Sequence, residues 1–68
     1  MKISYDKLWK LVSENKMKRQ DLSMAAEISA NTVTKLGKNE TVSLEVLLKI
    51  CKVFHCDIGD IMEVIENE

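Results

Sequence analysis

The sequence predicts an all-α fold of five helices, on three observations. The composition, 46% hydrophobic and 31% charged with two glycines and no proline, suits compact helices better than disorder or a turn-rich β fold. The apolar pairs Ile3/Leu8, Met17/Leu22, Ile28/Val33, Val42/Leu47 and Cys56/Ile61 stand at the spacing of a hydrophobic staple, which joins the residue before a helix N-cap to one five places later. Apolar residues then recur at the helical interval, and no stretch alternates as a strand over a useful length.

Each helix has its own justification. The first, at about 5–15, follows Ser4 as N-cap and carries Tyr5, Leu8, Trp9 and Val12 at i, i+3, i+4 and i+7. The second, 18–26, starts on the poor cap Lys18, but Asp21 three residues on can reach back to the N-cap amide and complement the helix dipole. It offers Leu22, Ala25 and Ala26 to the core. The third, 30–37, follows Ser29 and turns Val33 and Leu36 inward. The fourth, 44–54, follows Ser43 with the stripe Leu44, Leu47, Leu48, Cys51 and then Phe54. The fifth, 58–65, follows Asp57 with Ile58, Ile61, Met62 and Ile65. The 68 residues make one domain, 1–68, with a small core.

The join between the second and third helices, "AEIS", is so tight that one residue is expected in the left-handed region, and the sequence puts Glu27 there. Glycine takes that conformation most cheaply; for glutamate the cost is about 1 kcal/mol.

Charge is asymmetric. The net charge of -1 conceals a net +4 over residues 1–38 and a net -5 over residues 39–68, the split expected of a small nucleic-acid binder whose N-terminal half faces phosphate. No apolar run approaches the roughly 18 residues of a membrane span, and "MKISYDKLWKLV" has charges scattered where a signal peptide is continuously apolar, so a soluble, cytoplasmic protein is expected.

The stretch "MKRQDLSMAAEISANTVTKLGKNETVSLEVLLKICKVFHCDIGDI" resembles the Xre family, the helix-turn-helix domain shared by phage repressors of the lambda and Cro type and by many bacterial regulators. The resemblance covers nearly the whole chain and rests most on "QDL..AA.IS..TV.KL", "VSLEVLLKIC" and "CDIGDIM". It is greatest to small stand-alone regulators. It implies a lambda-repressor-like five-helix domain with its helix-turn-helix at about 18–37, the helix 30–37 lying in the major groove of double-stranded DNA.

Candidate contacts follow from helical position. Ala30, Asn31, Thr34 and Lys35 lie on the exposed side of the third helix once Val33 and Leu36 face inward. The Asn31 amide suits bidentate pairing with adenine, and Lys35 can donate to guanine O6 and N7. Thr32 and Thr34 can pack a methyl on thymine or bond a phosphate. Carried over from the family pattern, Arg19, Ser29, Lys38 and Asn39 hold phosphate, with Lys18 adjoining Arg19.

One recognition helix covers few base pairs, so a homodimer is expected, at least on DNA. A second apolar stripe, Val46, Ile50 and Val53, together with Val64, is the candidate two-fold interface, in keeping with the C-terminal dimerisation of similar family members. Cys51, His55 and Cys56 lack the further ligands of a zinc site, so neither metal nor cofactor is implied and the thiols are expected free. No catalytic constellation or glycine-rich phosphate loop is present in the sequence, which argues against an enzyme. Two function classes remain: a sequence-specific transcriptional regulator, repressor or autoregulator, and a protein-interaction module of antitoxin or anti-repressor type that uses the same fold.

Overall fold

The computed structural model describes residues 2–66. In order along the chain these form strand β1 (Lys2–Ser4), helices α1 (Asp6–Glu14), α2 (Arg19–Ala26), α3 (Ala30–Gly37) and α4 (Leu44–Phe54), a 3-10 turn (Ile58–Asp60) and strand β2 (Glu63–Ile65). The four α-helices start within about two residues of where the staples put them. Ser29 and Ser43 cap α3 and α4, their hydroxyls accepting from the backbone N–H of Thr32 and Val46. Asp21 accepts from the Lys18 N–H at 2.9 Å, so the start of α2 is held by its third residue and not by its cap side chain. Ser4 does not cap α1 directly: Tyr5 is the cap residue, and Ser4 Oγ accepts from the Asp6 N–H.

The expected fifth helix is not formed, and the fold is therefore mostly helical with a small sheet. Its first turn is the 3-10 segment, and the chain then extends into β2, which pairs antiparallel with β1 in the register Lys2↔Ile65, Ile3↔Val64, Ser4↔Glu63. Two features favour this outcome. Gly59 weakens helix propagation in the first turn, and "EVI" places β-branched residues beside the equally short "KIS", whose backbone groups need partners. Strands of three residues are too short to show as alternation.

Every α-helix ends in the same way. Lys16, Glu27, Asn39 and His55 have φ between 53° and 58°, and no glycine in the described residues has positive φ. After each, the next N–H reaches back to a helix carbonyl: Met17 to Val12, Ile28 to Ser23, Glu40 to Lys35 and Cys56 to Cys51, at 2.9 to 3.1 Å. This left-handed closure satisfies carbonyls the helix leaves open and turns the chain sharply. Met17, Ile28 and Cys56 also begin the following staple, so closing one helix starts the next. Glu27, at φ 57° and ψ 47°, takes the conformation its corner requires. Glu27→Gly is expected to leave the melting temperature unchanged or raise it, by an equivalent of up to about 1 kcal/mol, in a thermal melt followed by circular dichroism.

The core gathers Tyr5, Leu8 and Val12, Leu22 and Ala26, Ile28, Val33 and Leu36, Leu47, Ile50 and Cys51, and Ile61. Helix α2 packs on both α3 and α4. Helix α4 is rotated relative to the expected stripe. Leu47, Ile50 and Cys51 face inward while Leu44 and Leu48 are exposed. Ile50, expected at a dimer surface, is 0% exposed and belongs to the core. Among the described residues no helix is long and apolar enough to cross a membrane.

Candidate nucleic-acid interface

Helices α2 and α3 meet at a corner built by local bonds. Ile28 is buried beneath it, the Ser23 hydroxyl donates to the Ile28 carbonyl at 2.6 Å, and Ser29 then starts α3. With Val33 and Leu36 buried, Ala30, Asn31, Thr34 and Lys35 all lie on the exposed side of α3. The Thr34 hydroxyl donates back to the Ala30 carbonyl at 3.1 Å, which turns its polar atom to the helix and leaves its methyl as the outward chemistry. Asn31 and Lys35 are therefore the longer hydrogen-bonding groups of this face. A shallow groove beside it is lined by Arg19, Gln20, Ser23, Ala30, Val33 and Thr34.

The residues expected at phosphate divide into two groups. Lys18 and Arg19 at the start of α2 and Lys38 after α3 are exposed cations. Ser29 and Thr32 are occupied with each other: Ser29 Oγ accepts from the Thr32 N–H at 3.1 Å and lies 2.8 Å from Thr32 Oγ1, with Thr32 half-buried. Asn39 has a structural task besides the one expected of it. Its Oδ1 accepts from the Tyr5 N–H at 3.1 Å, and Tyr5 Oη donates to the neighbouring Glu40 carbonyl at 2.9 Å, so this loop is tied to the start of α1. Burial pushes the Tyr5 phenol above its ordinary pKa, partly opposed by a hydrogen bond with the Val42 backbone.

Two residues that sequence reasoning left out complete the site. The Arg19 guanidinium lies 4.9 Å from the centre of the Trp9 ring, and the Trp9 indole N–H donates to the Leu36 carbonyl at 3.3 Å. Gly37 lies under the same guanidinium. Trp9 fits the apolar stripe of α1, which hid its outward face; its being the sole tryptophan beside a cationic helix start was the available signal.

Cys51 and Cys56 are free, and burial pushes both thiols above their ordinary pKa, with the nearby Asp57 and Asp60 carboxylates adding to it. No group of three or more His, Cys, Asp or Glu among the described residues is placed to hold a metal ion.

Two short helices joined at a left-handed corner, the second presenting a polar face between cations, define a helix-turn-helix module. A family model for the Cro/C1-type HTH DNA-binding domain matches residues 7–67, and the chain belongs to that family. Among solved structures it is similar to one titled as the transcriptional regulator VanUg, crystal form II, with a TM-score of 0.90 and 50% sequence identity over 97% of this chain and 88% of that chain. Comparison with curated proteins found no match.

Proposed function

We propose that this protein binds double-stranded DNA sequence-specifically as a transcriptional regulator, a repressor or autoregulator that acts by occupying its site. The observation that carries this reading is the shared exposure of Ala30, Asn31, Thr34 and Lys35 on one face of α3, flanked by Arg19 and Lys38. That face enters the major groove, Asn31 and Lys35 read base edges, and Lys18, Arg19 and Lys38 neutralise phosphate. The family and the VanUg likeness support the same class. The DNA-bound form is a homodimer whose recognition helices are one helical turn, about 34 Å, apart. With Ile50 in the core, its contacts centre on β2, where Val64 and Ile65 are exposed, and Val46 and Val53, half-buried on α4, are left a peripheral part.

The test is fluorescence anisotropy with labelled DNA from upstream of the protein's own coding sequence, a shuffled control and two salt concentrations. Asn31→Ala/Lys35→Ala is expected to reduce discrimination between the two by roughly tenfold or more, since each base contact contributes about 1–3 kcal/mol. Preference retained in the double variant would remove base reading by α3. The second reading, a protein-interaction module, is favoured only by the exposed Leu44, Leu48, Val64 and Ile65, and it requires that neither fragment is bound.

A further inference from the structure

Gly37 raises a question that backbone geometry does not answer. It lies inside the last turn of α3, where glycine weakens a helix relative to alanine, and its φ is not positive. Conformational freedom is therefore not why glycine stands there. Space is the better reason: a Cβ on Gly37 would lie 2.8 Å from one terminal nitrogen of Arg19 and 3.1 Å from its Cζ. The guanidinium lies close to both this bare stretch of helix and the Trp9 ring. Trp9 in turn is fixed to α3 through the Leu36 carbonyl.

We propose that Trp9 and Gly37 are positioning residues that hold the Arg19 guanidinium ready for a DNA phosphate, in fixed register with Asn31 and Lys35. The inference rests on the DNA-binding reading above. A long exposed side chain samples many rotamers and loses that freedom when it binds. Stacking on the indole, with the attraction of a cation for the ring face, restricts the search before DNA arrives. Because the indole is bonded to the last turn of α3, the phosphate-holding group and the base-reading face share one rigid support. A phosphate held by Arg19 then sets where Asn31 and Lys35 fall along the groove, which couples a contact blind to sequence to those that read it.

Gly37→Ala tests this without damaging the core. The atoms a Cβ would meet are the far end of a flexible side chain, so the fold yields by moving Arg19 off its seat. Alanine favours the helix, so the melting temperature should be unchanged or higher. Wild type, Gly37→Ala, Arg19→Ala and the double variant are titrated against a fluorescein-labelled duplex of about 20 base pairs from the upstream DNA, and a shuffled duplex, across a salt series. Gly37→Ala is expected to weaken binding by roughly three- to tenfold, the scale of one cation–π contact. Arg19→Ala should lower the salt slope by about one, as for one lost phosphate contact. Adding Gly37→Ala to Arg19→Ala should then change nothing, and the emission of the single tryptophan should shift in Gly37→Ala and in Arg19→Ala, with no further shift in the double variant.

Wild-type affinity in Gly37→Ala, or effects of the two substitutions that simply add, would overturn the positioning role while leaving the DNA-binding reading intact. Wild-type protein that binds neither duplex at low salt would overturn the DNA-binding reading, and this inference with it.

Discussion

Ile50→Asp is expected to leave the protein largely unfolded at room temperature, whereas Val64→Asp should melt close to wild type. Ile50 is 0% exposed at the centre of α4, among Leu47, Cys51 and residues from the other helices, and Val64 is 61% exposed on β2. Truncating a buried isoleucine to alanine costs about 2–5 kcal/mol through lost transfer energy and the cavity left behind. A carboxylate in the same place adds the penalty of burying an unpaired charge, several kcal/mol more unless it takes up a proton. A domain of this size has a total stability of only about 5 kcal/mol, near the lower end of the usual range. The core substitution exceeds that margin and the strand substitution does not approach it. Circular dichroism melts of Ile50→Ala, Ile50→Asp and Val64→Asp measure this directly. Sedimentation of Val64→Asp with and without DNA then reads the dimer surface on a chain that is still folded. A normal melt for Ile50→Asp would mean that α4 is rotated the other way in solution.

That contrast shows which parts of the fold are legible in the sequence. Helix ends are written in single residues: Ser29, Ser43 and Asp21 are used as caps or capping partners, and the staple pairs locate the starts of α1 to α4 to within about two residues. Helix rotation is less legible where apolar residues are abundant. Between Leu44 and Phe54, Leu44, Leu47, Leu48 and Cys51 satisfy the helical interval, and so do Leu47, Ile50, Cys51 and Phe54. Only packing against α2 and Ile61 selects the second set. Periodicity also misled at the C-terminal end, where Ile58, Ile61, Met62 and Ile65 fit a helix although Ile65 pairs with Lys2 across the chain. Pairing between distant short strands leaves no local trace.

The left-handed helix ends were visible only at Glu27, because the tightness of one join was the sole cue; Lys16, Asn39 and His55 take the same conformation with no glycine to mark them. In the candidate interface, side-chain type and helical position suffice to place Ala30, Asn31, Thr34 and Lys35 on one exposed face. They do not reveal that Arg19 rests on Trp9 or that the side-chain oxygen of Asn39 is already engaged, since both depend on contacts across 10 or more residues of chain.

Asn39→Ala is accordingly expected to destabilise the fold by about 2–4 kcal/mol, an effect that a phosphate contact would not produce. Two losses combine. Alanine at φ 58° meets the steric cost of the left-handed region, about 1 kcal/mol, which asparagine tolerates better because its side chain bonds locally. The Tyr5 N–H, in a residue only 1% exposed, loses the Asn39 oxygen, and an unsatisfied buried donor costs about 1–3 kcal/mol. Asn39→Gly should recover the backbone part and leave the hydrogen-bond part lost, so it should melt between alanine and wild type. Asn39→Asp keeps an acceptor for Tyr5 and tolerates positive φ, so its melt should approach wild type, while the added negative charge beside Lys38 should weaken DNA binding through the electrostatic contribution alone. The three variants therefore separate support of the fold from contact with phosphate. An Asn39→Ala melt superimposable on wild type would remove the structural role. The consequence reaches α3, because Asn39 and Glu40 fasten its end to Tyr5 at the start of α1. Loosening that tie should also blunt base discrimination, with the loss growing on warming as the last turn of α3 frays.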